Sequence, residues 1–408
     1  MSVVFPIERV RADFPIFEQR PWGKPLIYLD SAATTQKPRQ VIDRLTRFYS
    51  SEYGTVRRGV YSLSAQATGA YEDVRRHAAR FFNAPRPEEI VFVRGVTEAI
   101  NLVAIAWGRS NLQPGDAVLV SGMEHHSNIV PWQLTCAATG AELRVIPVDD
   151  RGNLEFDKLD VVLDDRVKLV SIVHISNGLG TVNPVAELAR RAHAVGALVF
   201  VDGAQSAPHR RIDVQALGCD FFACSGHKML GPTGAGVLWG RYDLLAAMEP
   251  YQGGGEMIDT VTFERSTWED PPYRFEAGTP AFADVIGFGE ALRYLDELGM
   301  DAIEQRDAAL TAYAIERLSA APGVRLHGAP AERSGLVPFT MDGIHPLDIG
   351  TILDREGVCI RVGQHCVQPL LRRFGLTATA RASFGVYTTH ADIDALIDGL
   401  GVVRHLAG

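Results

Sequence analysis

Residues 197–205 read Ala197, Leu198, Val199, Phe200, Val201, Asp202, Gly203, Ala204, Gln205, an apolar run entered from Gly196 and closed by an acid and a glycine. A short continuous apolar run between turn formers predicts a strand buried on both faces, as in a parallel sheet. In open α/β sheets the functional groups gather beyond the carboxyl ends of strands, which puts Asp202 at the mouth of a ligand crevice. Taken alone, Asp before Gly is also a common turn former.

A second run settles the weight between those readings. Phe221, Phe222, Ala223 and Cys224 lead into Ser225, Gly226, His227, Lys228 and then the sharp turn Gly231, Pro232, Thr233, Gly234, Ala235, Gly236. A lone lysine is usually a solvated surface charge. A carboxylate and a lysine at two strand ends suit pyridoxal phosphate: the acid pairs with the pyridinium nitrogen and the amine forms the Schiff base. Gln205 suits the phenolic oxygen of that cofactor, and Ser225 and His227 suit its phosphate. Upstream, Val93, Arg94 ends a strand, Gly95 turns, and Thr97, Glu98 opens a helix, so backbone N–H groups and the Thr97 hydroxyl face one anion. A capping box is the plainer reading there.

Working outward, Glu89 to Val93, Ala117 to Ser121, Leu143 to Val148, Leu169 to Val173 and Leu198 to Asp202 read as strands alternating with helical periods, the manner of βαβ units. Pro184 opens a crossover helix whose apolar face is Val185, Leu188, Ala189, Ala192 and Val195, and Gly196 ends it. The expected class is α/β, with a mainly parallel central sheet, helices on both faces and a smaller α+β domain. Asp284 to Leu298 and Ala302 to Leu318 read as long helices, after which the texture changes. A large domain is expected over 25–297 and a small one over 298–408 joined by 1–24. Gln252 to Asp270 reads as a mobile loop.

Bulk properties fit a soluble enzyme. The chain has 408 residues, 46% of them hydrophobic, and a formal net charge of -9; that supports a large core. Without a basic block, no nucleic-acid partner is expected. No apolar stretch approaches the ~20 residues of a membrane span, and the first residues lack a signal peptide's apolar core, so a cytoplasmic protein is expected. Five cysteines are too few and odd in number for a disulfide framework. His125 and His126 lack zinc spacing, and no metal is expected.

The motifs together carry a likeness. Tyr28, Leu29, Asp30, Ser31, Ala32, Ala33; Leu63 to Thr68; Met123, Glu124, His125, His126; Arg274, Phe275, Glu276, Ala277, Gly278, Thr279, Pro280; and Gly363, Gln364, His365, Cys366 resemble the cysteine desulfurases of the class V aminotransferase group, SufS and CsdA branch, over nearly the whole chain. The resemblance implies the PLP-dependent fold type I and a homodimer in which Thr279 reaches the phosphate of the neighbouring subunit's cofactor. It also implies His125 over the pyridine ring, Asn177 near cofactor and substrate, no assigned role for His126, and the N-terminal segment packed on the small domain. Ala32 and Ala33 are expected at the substrate.

Cys366 separates desulfurization from transamination. Its polar, Gly-punctuated segment predicts an accessible thiol, whereas Cys136, Cys219, Cys224 and Cys359 sit among apolar or small residues and read as buried. The expected reaction converts L-cysteine to alanine: Lys228 takes the Cα proton, Asp202 holds the protonated pyridine, and Cys366 attacks the substrate sulfur. Arg381 is the best bidentate clamp for the substrate carboxylate and Arg361 a weaker one; a surface salt bridge is the bland alternative for either. The compact Cys366 loop resembles the branch that hands sulfur to an acceptor protein of the SufE or SufU type for iron–sulfur cluster assembly. Selenocysteine lyase, on L-selenocysteine, and a catalytically idle sulfur-transfer partner protein are the alternatives. The chain departs from the family pattern at Val96, where a second threonine is common, at Arg57 in place of His, and at Thr388 in place of Asn.

Overall fold

The computed structural model describes residues 5–407. Strand β1 (Ile27–Tyr28) stands apart from the central sheet, which is built from β2 (Ile90–Val93), β3 (Ala117–Ser121), β4 (Glu142–Ile146), β5 (Val167–Val173), β6 (Leu198–Asp202), β7 (Phe221–Ser225) and β8 (Gly236–Gly240). Their order is β2-β8-β7-β6-β5-β3-β4. Pairing is parallel from β4 through β3, β5 and β6 to β7, and β8 runs antiparallel between β7 and β2. The sheet is thus mainly parallel, and the apolar runs around Asp202 and Lys228 form its buried centre, with every residue of β7 and β8 buried.

Both faces are covered. One carries Ile172, Val199, Val201, Phe222 and the helices Ser62–Phe81, Val185–Ala194 and Phe282–Leu298; the other carries Val118, Val120, Phe200, Phe221 and the helix Val96–Val103. Alternate strand residues point to opposite faces, so a run apolar at every position is what a two-sided core demands. The crossover helix runs over Val185–Ala194 with Pro184 at its N-cap and Gly196 at φ +82° just past its end, as the Pro and Gly positions require.

The loop expected over Gln252 to Asp270 is instead partly a hairpin of β9 (Ile258–Val261) and β10 (Ser266–Trp268), with Phe263 fully exposed at its turn. Its strands are too short and polar to show a period-2 signal.

A second sheet is formed by β11 (Val324–Leu326), β12 (Leu336–Met341), β14 (Arg361–Gly363) and β15 (Thr379–Ser383), antiparallel in the order β11-β12-β15-β14, while β13 (Val358–Cys359) pairs with β1. Its own core holds Val337, Phe339, Ile349, Leu353 and Leu396, under the helices Pro346–Arg355 and His390–Ala407. The N-terminal segment touches both cores: Arg11 is bidentate to Asp392, while Val10 and Phe14 belong to the main core, Phe14 packing edge-on to Tyr294 and Tyr387. The main core also takes in Val367, Leu370 and Leu371, so the segment carrying Cys366 is packed against the large sheet.

Candidate active site

The carboxyl ends of β6 and β7 and the turn after β5 open on one cavity of about 240 Å³, and the second sheet closes it from across the gap. Asp202, the last residue of β6, is buried and pairs in register with Val173 and Ala223. Its carboxylate accepts one hydrogen bond, from the Ala204 N–H at 2.9 Å. Burial raises its pKa, against the pull of that N–H and of Lys228. A buried carboxylate with so little compensation favours a cationic partner.

Lys228 follows β7 on a single 3-10 turn, Gly226–Lys228. Burial lowers its amine to about 8, with Asp202 acting in the opposite sense. An amine lowered this far gives up its proton much more readily than an ordinary lysine, as a nucleophile requires. Beside it, His227 is lowered to about 4 by burial and so is neutral, with Nδ1 3.2 Å from the Thr34 hydroxyl.

The helix Val96–Val103 starts at the same end of the sheet, with Gly95 at φ +154°, where a Cβ would come within 3.0 Å of Ser225 Oγ. Ser225 Oγ accepts the Val96 N–H at 3.0 Å, and Glu98 accepts the Arg94 N–H. Glu98 thus makes a capping contact at this helix start, while Thr97, Ser225 and His227 line the cavity.

His125 caps its own turn: Nδ1 accepts the Ser127 N–H at 3.1 Å and lies 2.7 Å from its hydroxyl. Accepting at Nδ1 places the ring proton on Nε2. Burial, followed by the Lys228 charge, lowers its pKa to about 4, so the ring is neutral. Glu124, directly before it, is fully buried and accepts from Asn128 at 2.7 Å and from the Val173 N–H at 3.0 Å; burial pushes its pKa up to about 8.

The second sheet contributes two arginines. Arg361 on β14 and Arg381 on β15 are register partners, which puts both side chains on one face. Arg381 is buried, donates to the Asn177 carbonyl at 2.7 Å and lies 3.5 Å from Asp30, with Nε unpartnered. Arg361 is half exposed and 3.8 Å from the other oxygen of Asp30. Asn177 donates from Nδ2 to the His365 carbonyl at 2.6 Å, so its Oδ1, also unpartnered, is fixed as an acceptor. Gln205 donates to the Ala32 carbonyl at 2.7 Å.

Cys366 is the exposed cysteine; Cys136, Cys219 and Cys224 are buried. Cys359, expected to be buried, is only half so, because its two-residue strand pairs on one side alone, with β1. His365 and Cys366 both take left-handed backbone, φ +51° and +56°, a conformation costly for residues with a Cβ. Cys366 lines the cavity with Lys228, Asp202, His125, Asn177, Gln205, Ala32 and Ala33. Thr279 does not; it lines a neighbouring hollow with Arg94, Glu98 and Tyr251. Sequence reasoning missed Asp30, Ser127 and Glu124 as contributors. Asp30 and Glu124 lay inside quoted motifs, where a charge among apolar or small residues was the available signal.

A family model described as Aminotransferase class-V matches residues 27–396. A cysteine desulfurase of Dickeya dadantii is 51% identical over 405 residues, 99% of this chain and 98% of that one. The chain belongs to the cysteine desulfurases of the class-V aminotransferase family. Among solved structures, the cysteine desulfurase CsdA (S-sulfonic acid) from Escherichia coli superposes with a TM-score of 0.93 at 39% identity, covering 100% of both chains. The apo cysteine desulfurase from Thermococcus onnurineus NA1 gives 0.93 at 36%, covering 99% of this chain and 100% of that one.

This cysteine desulfurase uses pyridoxal phosphate, and its cavity fits that group. Among the described residues Asp202 has no ion-pair partner within 4.0 Å, Lys228 supplies a buried amine, and a helix N-terminus with Thr97 stands ready for a phosphate. Among the described residues no helix is long and apolar enough to cross a membrane.

Proposed function

We propose that this enzyme takes sulfur from L-cysteine, releasing L-alanine and leaving a persulfide on Cys366. One observation supports the reading: an exposed thiol and a buried amine line the same cavity as two register-paired arginines. The cofactor, when bound, supplies an electron sink that acidifies the substrate Cα–H.

Asp202 would hold the ring nitrogen in its cationic form, Gln205 would meet the phenolic oxygen, and Thr97, Ser225 and His227 would hold the phosphate. Arg381, with Arg361, receives the substrate carboxylate, and the free Nε of Arg381 and Oδ1 of Asn177 orient it beside Ala32 and Ala33. Lys228 removes the Cα proton, and neutral His125 would cover the ring of the bound cofactor. Cys366 Sγ bonds to the substrate sulfur as the Cβ–S bond breaks. The electron pair of that bond stays on Cβ, which takes up the proton given up by the Cys366 thiol to become the methyl of alanine, and Lys228 returns a proton to Cα. The net change, L-cysteine plus enzyme thiol to L-alanine plus enzyme persulfide, needs no outside oxidant.

The proposal extends to a homodimer in which Thr279 serves the second subunit's cofactor, supported by its place outside this chain's own cavity. It includes the division into 25–297 and 1–24 with 298–408, a cytoplasmic location, and an acceptor protein of the SufE or SufU type that removes the persulfide. The deciding experiment measures alanine and protein-bound persulfide from L-cysteine in the enzyme and in Cys366→Ala. The variant is expected to lose both while retaining cofactor absorbance; persulfide at the normal rate overturns the reading. Running L-selenocysteine beside L-cysteine ranks the two substrates.

A further inference from the structure

The backbone around the thiol is tied down more heavily than a surface loop requires. On its leading side, the His365 carbonyl accepts from Asn177, and the His365 ring contacts Thr379 Oγ1 at 2.9 Å. On its trailing side, two further bonds converge on one residue of a different element. The His126 N–H donates to the Cys366 carbonyl at 2.9 Å. The Gln368 N–H donates to His126 Nε2 at 3.1 Å.

We propose that His126 is the positioning residue of the thiol loop: it grips the chain at Cys366 with its backbone and at Gln368 with its imidazole, and so fixes where Sγ stands. The inference rests on the reading of Cys366 as nucleophile.

Gln368 is the first residue of the helix Gln368–Arg373, whose N-cap, Val367, has no side chain able to accept a hydrogen bond. The first N–H groups of a helix need outside acceptors. His126 supplies one from a turn 242 residues earlier in the chain, a tertiary cap in place of a local one. Its neighbour His125 faces the cofactor cavity, the two rings 6.3 Å apart. The turn bearing both is held by buried bonds: Asn128 donates to Glu124 and accepts the Trp132 indole N–H at 3.0 Å. One rigid turn therefore references the thiol to the cofactor through adjacent histidines. Left-handed backbone at His365 and Cys366 persists only where surroundings over-determine it, and the His126 bonds are part of that surrounding.

The test uses the holoenzyme and three substitutions, His126→Ala, His126→Asn and His126→Gln. All keep the backbone N–H, so they isolate the imidazole. Gln places an acceptor oxygen near the position of Nε2; Asn reaches only as far as Nδ1. Alanine and Asn variants are expected to lose about tenfold in kcat, since sub-ångström misplacement of a reacting group is costly. Their KM should stay within about twofold, the pattern of an interaction that matters at the chemical step. Cofactor absorbance should be unchanged, and amide exchange at Gln368 should speed up as its acceptor is lost. The Gln variant should recover most of both kcat and protection.

Wild-type kcat in the Ala variant, or a Gln variant as impaired as Asn, overturns the proposal. Should the Ala variant fold poorly, the Gln and Asn pair decides. Cys366→Ala in parallel separates the two levels: alanine release persisting there refutes the nucleophile itself, whereas its loss beside a fully active His126→Ala refutes only the positioning role.

Discussion

Asn177 donates its side-chain N–H to the carbonyl of His365 at 2.6 Å, across 188 residues of sequence. The contact joins the turn after β5 to the residue before the thiol. Because Arg381 also donates to the Asn177 backbone carbonyl, one residue holds both the Cys366 loop and the Arg381 guanidinium.

Asn177→Ala strands the His365 carbonyl and empties the acceptor position at Oδ1. It is expected to lower kcat/KM for alanine release by about 100-fold, the scale of a misplaced reacting group. Asn177→Asp should not rescue it, because a carboxylate oxygen would face the His365 carbonyl oxygen. Steady-state kinetics of both variants, with cofactor absorbance as the control, checks this.

Asp202→Asn keeps an acceptor for the Ala204 N–H but removes the buried negative charge. Cofactor should still bind, with turnover reduced by at least about 100-fold because the ring nitrogen loses its counter-charge. Lys228→Ala should instead abolish the lysine-linked absorbance band. Absorbance spectra and alanine release distinguish the two losses.

Arg381→Lys gives up a planar fork held by the Asn177 carbonyl and Asp30. KM for L-cysteine should rise by about tenfold or more, as bidentate recognition of a carboxylate is not reproduced by an ammonium. Arg361→Lys, at a side chain 47% exposed, should raise it less. A KM ranking in the reverse order would reassign the clamp.

His174 is buried outside the cavity with Nδ1 unpartnered, and burial lowers its pKa from 6.5 to about 3. The unfolded chain therefore binds a proton below pH 6.5 that the folded chain refuses until about pH 3. Stability from this group is complete above 6.5 and declines as pH falls, by about 1.4 kcal/mol per pH unit for one fully titrating group. Replacing it, as His174→Gln, should flatten the fall of Tm between pH 6 and 4, measured on the same buffers.

Glu276 is buried and receives Arg75 at 2.8 and 3.0 Å, the Phe92 N–H at 2.9 Å, the Tyr71 hydroxyl at 3.1 Å and Arg57 at 2.6 Å. Glu276→Ala leaves buried guanidinium groups without their counter-charge, a loss of about 3–5 kcal/mol. Urea unfolding should show a lower midpoint with an unchanged m-value. Arg57, the departure from the family's histidine, is absorbed into this cluster and lies over the Tyr273 ring at 3.9 Å.

The sheet was legible because β6 and β7 are buried on both faces and so read as uninterrupted apolar runs; Asp202 and Lys228 then stood out as polar residues at their ends. Cys366 was legible through its motif and its polar neighbourhood. The hairpin of β9 and β10 was not, since its strands are short, exposed and polar. Cys359 misled because Val358 and Ile360 suggest a core strand, while its exposure is set by a sheet edge. His126 carried no local signal at all: its partners are Cys366 and Gln368, brought to it only by packing of the second sheet against the first.

The tandem left-handed residues at His365 and Cys366 bear on delivery. A sulfur atom mounted on backbone that hydrogen bonds clamp from both directions has no tether on which to swing outward. On the proposed reading, the recipient must do the travelling: it has to insert its own accepting group into the mouth of the cleft, and a recipient too bulky or too blunt to enter will leave the cargo uncollected.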